Sequence, residues 1–356
     1  MEKLFEQTTL AGIEVSNRFM RSGTWTELAS EEGAITPELM DKYRLLAEGE
    51  IGLVIAGYAR VNEFERANNN MISVYNDKFI EGLTEFTDMF HQNNTPIGIQ
   101  LAMGGTQIHY NGDVDWEVMS PSHYTGTYRN AQRELVEFNA SEMTVEQIKL
   151  VIKDFADAAK RVKQSGFDML QIHAGHGYFI SQWMNPNLNN RTDEYGQDPA
   201  KFIIELYSTI RESVGVEFPI GIKINSEETI GDDSNHARML DLCTRLDKLG
   251  INMIEVSGTN PSRNKLKVES ESYFASFANK LTNVVNCDVV LTGGNKTLSN
   301  FAQIQKETEV GFIGLSRPLV SEPDLIKKWK QDREYKSRCI SCNHCHRKTY
   351  VCVFDK

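Results

Sequence analysis

Eight short apolar runs, each followed by a stretch with helical signals, constrain this chain more than any single motif does. The first reads from Asn17 to Gly23. Then come Gly52 to Gly57, Pro96 to Leu101, Phe167 to Ile172, Pro219 to Ile224, Ile251 to Val256, Asp288 to Thr292 and Val310 to Leu315. Runs this continuously apolar suit strands covered on both faces, as in a parallel sheet. Helix starts lie between them. Thr36-Pro37-Glu38 offers a hydroxyl cap, a proline at the first helical position and an acid in the first turn. Thr144-Val145-Glu146-Gln147 matches a capping box, and Ile148, Ile152, Phe155, Ala159 and Val162 follow at helical spacing. Further helices are predicted near 77–90, 199–214, 236–249, 269–283 and 297–307, with a last one from Pro323.

Eight such units in one series predict an α/β protein folded as a (β/α)8 TIM barrel, in a single domain. A doubly wound sheet also alternates, but a first-turn G-x-G-x-x-G fingerprint is missing. A barrel needs only about 250 residues, so the surplus of this 356-residue chain falls in loops and termini. Gly104 to Asn139 is a long irregular stretch, of the kind that is functional or carries small elements of its own. The expected division is a barrel over 1–332 and a basic, cysteine-rich tail over 333–356.

The formal net charge is -11 and the pI near 5.3, which excludes nucleic acid as the main partner, since phosphate binding needs a concentrated basic face. The charge is uneven: residues 324 to 356 hold nine Lys or Arg against four Asp or Glu, leaving the remainder sixteen units negative. A solvated basic terminal helix is the expected reading, and attraction of an anionic partner the alternative. Met1-Glu2-Lys3-Leu4-Phe5-Glu6 has acids where a signal peptide would be apolar, and no run approaches the roughly 18 apolar residues that cross a bilayer. A cytoplasmic location follows as the expectation, with no membrane partner and with reduced cysteines.

Polar residues collect where a barrel places its active site, after the carboxyl ends of the strands. His173-Ala174-Gly175-His176-Gly177-Tyr178 delivers two imidazoles and a phenol directly after the fourth strand. His173 alone could be a satisfied core histidine. Clustered donors with no packing need to be polar together point instead to a ligand. The dense polar run from Asn190 to Gly196 lies close behind. Gln100 sits at the third strand's tip and Lys223 near the end of the fifth. Gly293-Gly294 after strand seven and Ser316-Arg317 after strand eight occupy the fold's usual phosphate position.

These residues resemble the old yellow enzyme family, and more narrowly its bacterial NADH:flavin oxidoreductase branch of ene reductases. The resemblance rests on Asn17-Arg18, Gly98-Ile99-Gln100-Leu101-Ala102, His173 to Tyr178, Asn190 to Gly196, Gly293-Gly294 and Ser316-Arg317-Pro318. It implies one FMN in the barrel mouth, with NADH or NADPH as electron donor. Ser22, Gly23, Thr24 and a Gly57-Tyr58 turn would line the ring system and Gln100 would bond its pyrimidine edge. Lys223 would face the ring's N1 side, and Gly293, Gly294, Ser316 and Arg317 would hold the phosphate. His173 and His176 would grip a substrate carbonyl, and Tyr178 would supply a proton. The implied reaction reduces activated C=C bonds of unsaturated carbonyl or nitro compounds by ping-pong hydride transfer. The alternatives are amine or dienoyl-thioester chemistry on the same FMN barrel, or a flavin redox sensor without turnover. Partners would be small molecules, and assembly into a homo-oligomer stays open.

The tail carries Cys339, Cys342, Cys345 and Cys352 in C-x2-C-x2-C-x6-C spacing, with His344 and His346 nearby. This resembles the iron–sulfur segment of dienoyl-CoA reductases at tighter spacing. A remnant without metal is the expectation, with zinc or a cluster as the alternative.

Overall fold

A computed structural model describes residues 2–110, 112–227, 233–258, 271–346 and 351–355. Its centre is a ring of parallel strands: β1 (Phe19–Arg21), β2 (Leu53–Arg60), β3 (Ile97–Ala102), β4 (Met169–Ala174), β5 (Ile220–Asn225), β6 (Met253–Ser257), β7 (Asp288–Thr292) and β8 (Phe312–Leu315). Each pairs with its sequence neighbour, and β8 pairs with β1 to close the ring. Closure leaves no unpaired edge in the ring. The expected TIM barrel is therefore the observed fold.

Around the ring lie α1 (Pro37–Ala47), α2 (Ile80–Gln92), α3 (Val145–Gln164), α4 (Lys201–Val214), α5 (His236–Lys248), α6 (Ala275–Thr282), α7 (Leu298–Glu307) and α8 (Leu325–Gln331). The caps read from sequence form as expected. Thr36 accepts from Leu39 N, and Thr144 and Gln147 complete a reciprocal capping box. The main core lies between ring and helices, with Phe155, Phe202, Trp183 and Trp329 fully buried in it. A hairpin of Thr8–Leu10 with Ile13–Val15 packs Leu10 and Val15 onto Met20, Leu53, Met169, Met253 and Phe312, filling a second, separate core.

Two local expectations need correction, at Gly57-Tyr58 and over 269–283, and two are filled in, along 104–139 and before the last helix. Gly57 and Tyr58 are not in a turn, because β2 runs on to Arg60 with a register shift between Ala56 and Ala59 opposite β3. Such an irregularity re-aims side chains at a strand end without ending the strand. The 104–139 stretch carries strands Met119–Ser120, Tyr124–Arg129 and Leu135–Glu142, the last two an antiparallel hairpin over its own core of Ile108, Tyr128 and Phe138. The helix expected over 269–283 starts only at Ala275 among the described residues, since Ser272 takes φ +50°. Part of that expected helix lies outside them. Finally, a short helix Arg317–Ser321 precedes α8, which begins at Leu325. No described helix is long and apolar enough to cross a membrane.

Candidate active site

Strand register builds the site's first layer. His173 on β4 is level with Lys223 on β5, which is level with Glu255 on β6. Beyond His173 the chain reverses through His176 at φ +61° and Gly177 at φ +77°. A left-handed histidine is uncommon but belongs to the residues that tolerate it, and here it folds the imidazole back over the strand end. The His173 and His176 rings stand 5.1 Å apart at 78°, and His173 and Tyr178 are also 5.1 Å apart. Asn225 Oδ1 accepts from His176 N at 2.7 Å, and the His176 Nε2 meets Ser257 Oγ at 3.0 Å. The three residues predicted as one catalytic group are thus brought together.

His173 is buried, and its Nδ1 meets no protein partner. Burial, with the nearby His176 and Lys223, pushes its imidazole well below its ordinary pKa, so it is neutral near pH 7. A neutral imidazole keeps one N–H to donate. Tyr178 Oη lies 2.7 Å from Tyr58 Oη, and Asn68 Nδ2 donates to both phenols, at 3.1 Å to Tyr178. Neither Asn68 nor the tyrosine pairing was foreseen from sequence. Asn68 sits in a polar loop with no pattern to single it out.

Inside the ring lies a connected polar network. Lys223 Nζ is 2.7 Å from Ser22 Oγ and 3.1 Å from Glu255 Oε1. Glu255 also accepts from Ser22 Oγ at 2.5 Å, Thr292 Oγ1 at 2.8 Å and Gln171 Nε2 at 2.8 Å. Gln100 Nε2 in turn donates to Gln171 Oε1 at 2.6 Å. Burial pushes the Glu255 carboxyl up, but Lys223 and the three side-chain bonds outweigh it and hold it below its ordinary value. Sequence reading found Ser22, Gln100 and Lys223 and missed Gln171, Glu255 and Thr292. The available signal was one acid in the apolar Ile251 to Val256 run, since an unpaired carboxylate is not buried there without cause.

The glycines divide by role. A Cβ on Gly57 would lie 2.6 Å from Thr24 N and 2.8 Å from the Gly23 carbonyl carbon, so this glycine serves close passage of the β1 loop over β2. A Cβ on Gly23 would meet the Gln100 side chain at 3.0 Å. Thr24 Oγ1 donates to Ser22 O and contacts Ser316 Oγ at 3.0 Å, tying the β1 and β8 loops together. Gly293 and Gly294 have φ of +136° and +78°, conformations open to glycine. The Tyr273 ring stands where a Gly294 Cβ would be, with Cζ at 2.4 Å, and the same tyrosine interacts with Arg317. The two predicted phosphate elements therefore meet through Tyr273. Arg317 Nη1 also donates to Asn343 Oδ1 at 2.5 Å, joining it to the tail.

Cys339, Cys342, Cys345 and Cys352 line one small pocket beside Arg317, and none is in a disulfide. Among the described residues no three His, Cys, Asp or Glu side chains are disposed to hold a metal ion. The polar run from Asn190 to Gly196 has a structural job. Arg191 donates to Pro121 O at 2.9 Å and Met143 O at 2.7 Å while pairing with Asp193 at 2.5 Å, which fastens the hairpin excursion to the barrel.

The donor set fits a flavin. A buried ammonium at Lys223 suits a ring that gains negative charge on reduction, and the unpartnered His173 Nδ1 marks a polar position that the protein does not fill. Comparison with known proteins agrees. The chain is 27% identical to an NADH oxidase of Thermoanaerobacter brockii across 96% of its own length but only 52% of that protein's, so it spans about half of this relative. An NADPH dehydrogenase of Bacillus subtilis is 26% identical, with 90% of this chain and 92% of that one aligned. In structure, the old yellow enzyme homologue from Zymomonas mobilis superposes with a TM-score of 0.81 at 17% identity, covering 98% of this chain and 96% of the other. The profile of the NADH:flavin oxidoreductase / NADH oxidase family matches residues 3–336. The chain belongs to that family, the old yellow enzyme group of FMN-dependent oxidoreductases.

Proposed function

We propose that this protein reduces C=C bonds conjugated to a carbonyl or nitro group, with NADH or NADPH as the source of electrons. The observation that carries the reading is the convergence of His173, His176 and Tyr178 at the strand ends, with Lys223 level with His173 on the neighbouring strand. Ser22, Gly23, Thr24, Tyr58 and Gln100 would flank the bound ring, with Gly293, Gly294, Ser316 and Arg317 at its phosphate. FMN held there would supply the hydride-transfer chemistry that links the nicotinamide to the alkene's β-carbon.

The chain's own residues do the rest. As negative charge gathers on the substrate's carbonyl oxygen, the two imidazoles donate to it, each worth about 3 kcal/mol of barrier by analogy with other oxyanion donors. His173 meets that task as a neutral donor that costs no reorganisation. Tyr178 delivers its phenolic proton to the α-carbon, and Tyr58 and Asn68 stabilise the oxygen left behind. Lys223 offers a fixed charge, and Glu255 keeps that charge tolerable while the site is buried.

The test begins with an absorption spectrum of the purified protein, then anaerobic titration with NADH and with 2-cyclohexenone. Yellow protein bleached by NADH and recoloured by the enone supports the reading. Unchanged enone turnover after changing both His173 and His176 to Ala would defeat it.

A further inference from the structure

Three loops are tied to one another beside Tyr178. The first follows β2 and carries Glu65 and Asn68, the second follows β3 through Gly104 and Gly105, and the third runs from His176 into the short helix Phe179–Gln182. Glu65 joins the first to the second. Its Oε1 accepts from Gly104 N at 2.7 Å, Gly105 N also donates to its carboxylate, and a Cβ on Gly104 would press on Ala67 Cβ at 2.9 Å. Gln182 joins the second to the third. This fully buried side chain donates through Nε2 to Gly104 O at 3.0 Å and to Gly177 O at 2.8 Å. The circuit closes at the phenol, because Asn68, three residues beyond Glu65, donates to Tyr178 Oη at 3.1 Å.

A carboxylate is a costly joint for such a circuit. Glu65 is buried, and among the described residues its Oε2 meets no hydrogen-bond partner. A neutral amide could accept the same two N–H bonds without burying a charge. What the ionised form adds is grip, since hydrogen bonds to an ionised acceptor are roughly twice as strong. Burial raises this carboxyl to about 7 against the pull of the two amides and Arg60, so both of its forms are present near neutral pH. Arg60 is the charged side chain acting on it, and the Gly104 turn and Gln182 are uncharged. The titratable rings facing Tyr178 are Tyr58, His109 and His173, with centroids 5.4, 6.3 and 5.1 Å away. We infer that Glu65 is a positioning residue for Tyr178, acting through Gly104 and Gln182, and that its ionised form holds the phenol in the arrangement that delivers a proton. This rests on the reading of the active site given above and adds to it a residue that acts through others.

The test needs one readout that does not depend on turnover. In the full FMN-loaded chain, tyrosine labelled with carbon-13 at Cζ reports the phenol by NMR, the Tyr178 signal being the one lost in Tyr178→Phe. That signal should shift with a midpoint near pH 7 in the wild type and stay still in Glu65→Gln. Gln182→Met, which cuts the circuit beyond Glu65, should silence it as well, whereas His109→Gln should leave it titrating. In stopped flow, reoxidation by 2-cyclohexenone should quicken about fivefold as pH rises through that midpoint, since a loosely held donor is misplaced. Glu65→Gln should stay at the slow, low-pH rate throughout, while reduction by NADH, which takes no proton from Tyr178, changes less than twofold. A Tyr178 signal unmoved through pH 7, movement that survives Glu65→Gln or Gln182→Met, movement lost in His109→Gln, or reoxidation that ignores pH overturns the inference. A shift that depends on Glu65 and Gln182, in a protein that turns over no enone, upholds the circuit and refutes the proposed reaction.

Discussion

Lys223 Nζ and Glu255 Oε1 lie 3.1 Å apart inside the barrel, both side chains out of contact with solvent. Strand register makes this pair, since the two residues are directly level on β5 and β6. Removing one partner leaves the other charge buried alone. Glu255→Gln should therefore cost about 3–5 kcal/mol in chemical unfolding. The pair also has a pH signature. Because Glu255 is held below its ordinary 4.5 in the folded chain, its contribution is full above that value and is lost as pH falls beneath it. Wild type should lose stability on acidification more steeply than Glu255→Gln.

Glu65 predicts the opposite slope. Burial raises its carboxyl to about 7 despite the amides of Gly104 and Gly105, and its Oε2 has no partner. A folded pKa raised above the ordinary 4.5 means that this group's contribution is present below 4.5 and lost as pH rises through about 7. Glu65→Gln should match wild type at pH 4.5 and exceed it by about 3 kcal/mol at pH 9, measured as urea midpoints across that range.

The phenol pair makes a kinetic prediction. Tyr178→Phe removes the proton donor, and reoxidation of the reduced protein by 2-cyclohexenone should slow by about a hundredfold in stopped flow. Tyr58→Phe removes one hydrogen bond to the departing proton's oxygen, so the same step should slow only about tenfold. Equal slowing by the two changes would show that Tyr58 does more than support Tyr178.

Thiol reactivity should follow burial. Cys342 is exposed, whereas burial pushes the Cys339, Cys345 and Cys243 thiols up. Pulses of iodoacetamide under anaerobic conditions, read by peptide mass spectrometry, should label Cys342 first, Cys339 and Cys345 slowly and Cys243 only on unfolding. Protection of Cys339, Cys342, Cys345 and Cys352 as a set, with metal found in the same sample, would assign the tail a bound ion.

The barrel was legible in the amino-acid sequence because its evidence is local. A buried strand writes its apolar run into five or six consecutive residues, and a capped helix writes its start into four, as Thr144 to Gln147 do. His173, His176 and Tyr178 were legible for the same reason, being delivered together by one strand and the turn after it. What the sequence could not determine is which distant side chains complete them. Glu255 joins Lys223 through strand register, Asn68 joins Tyr178 from 110 positions away, and Tyr273 covers a turn that it precedes by some twenty residues. The same gap hid the meaning of Arg191, whose polar surroundings read as a ligand site until its partners proved to be the carbonyls of Pro121 and Met143. Local propensity sets the elements, but closure of the ring alone decides which buried charges meet, because only there does leaving one unpaired carry its cost.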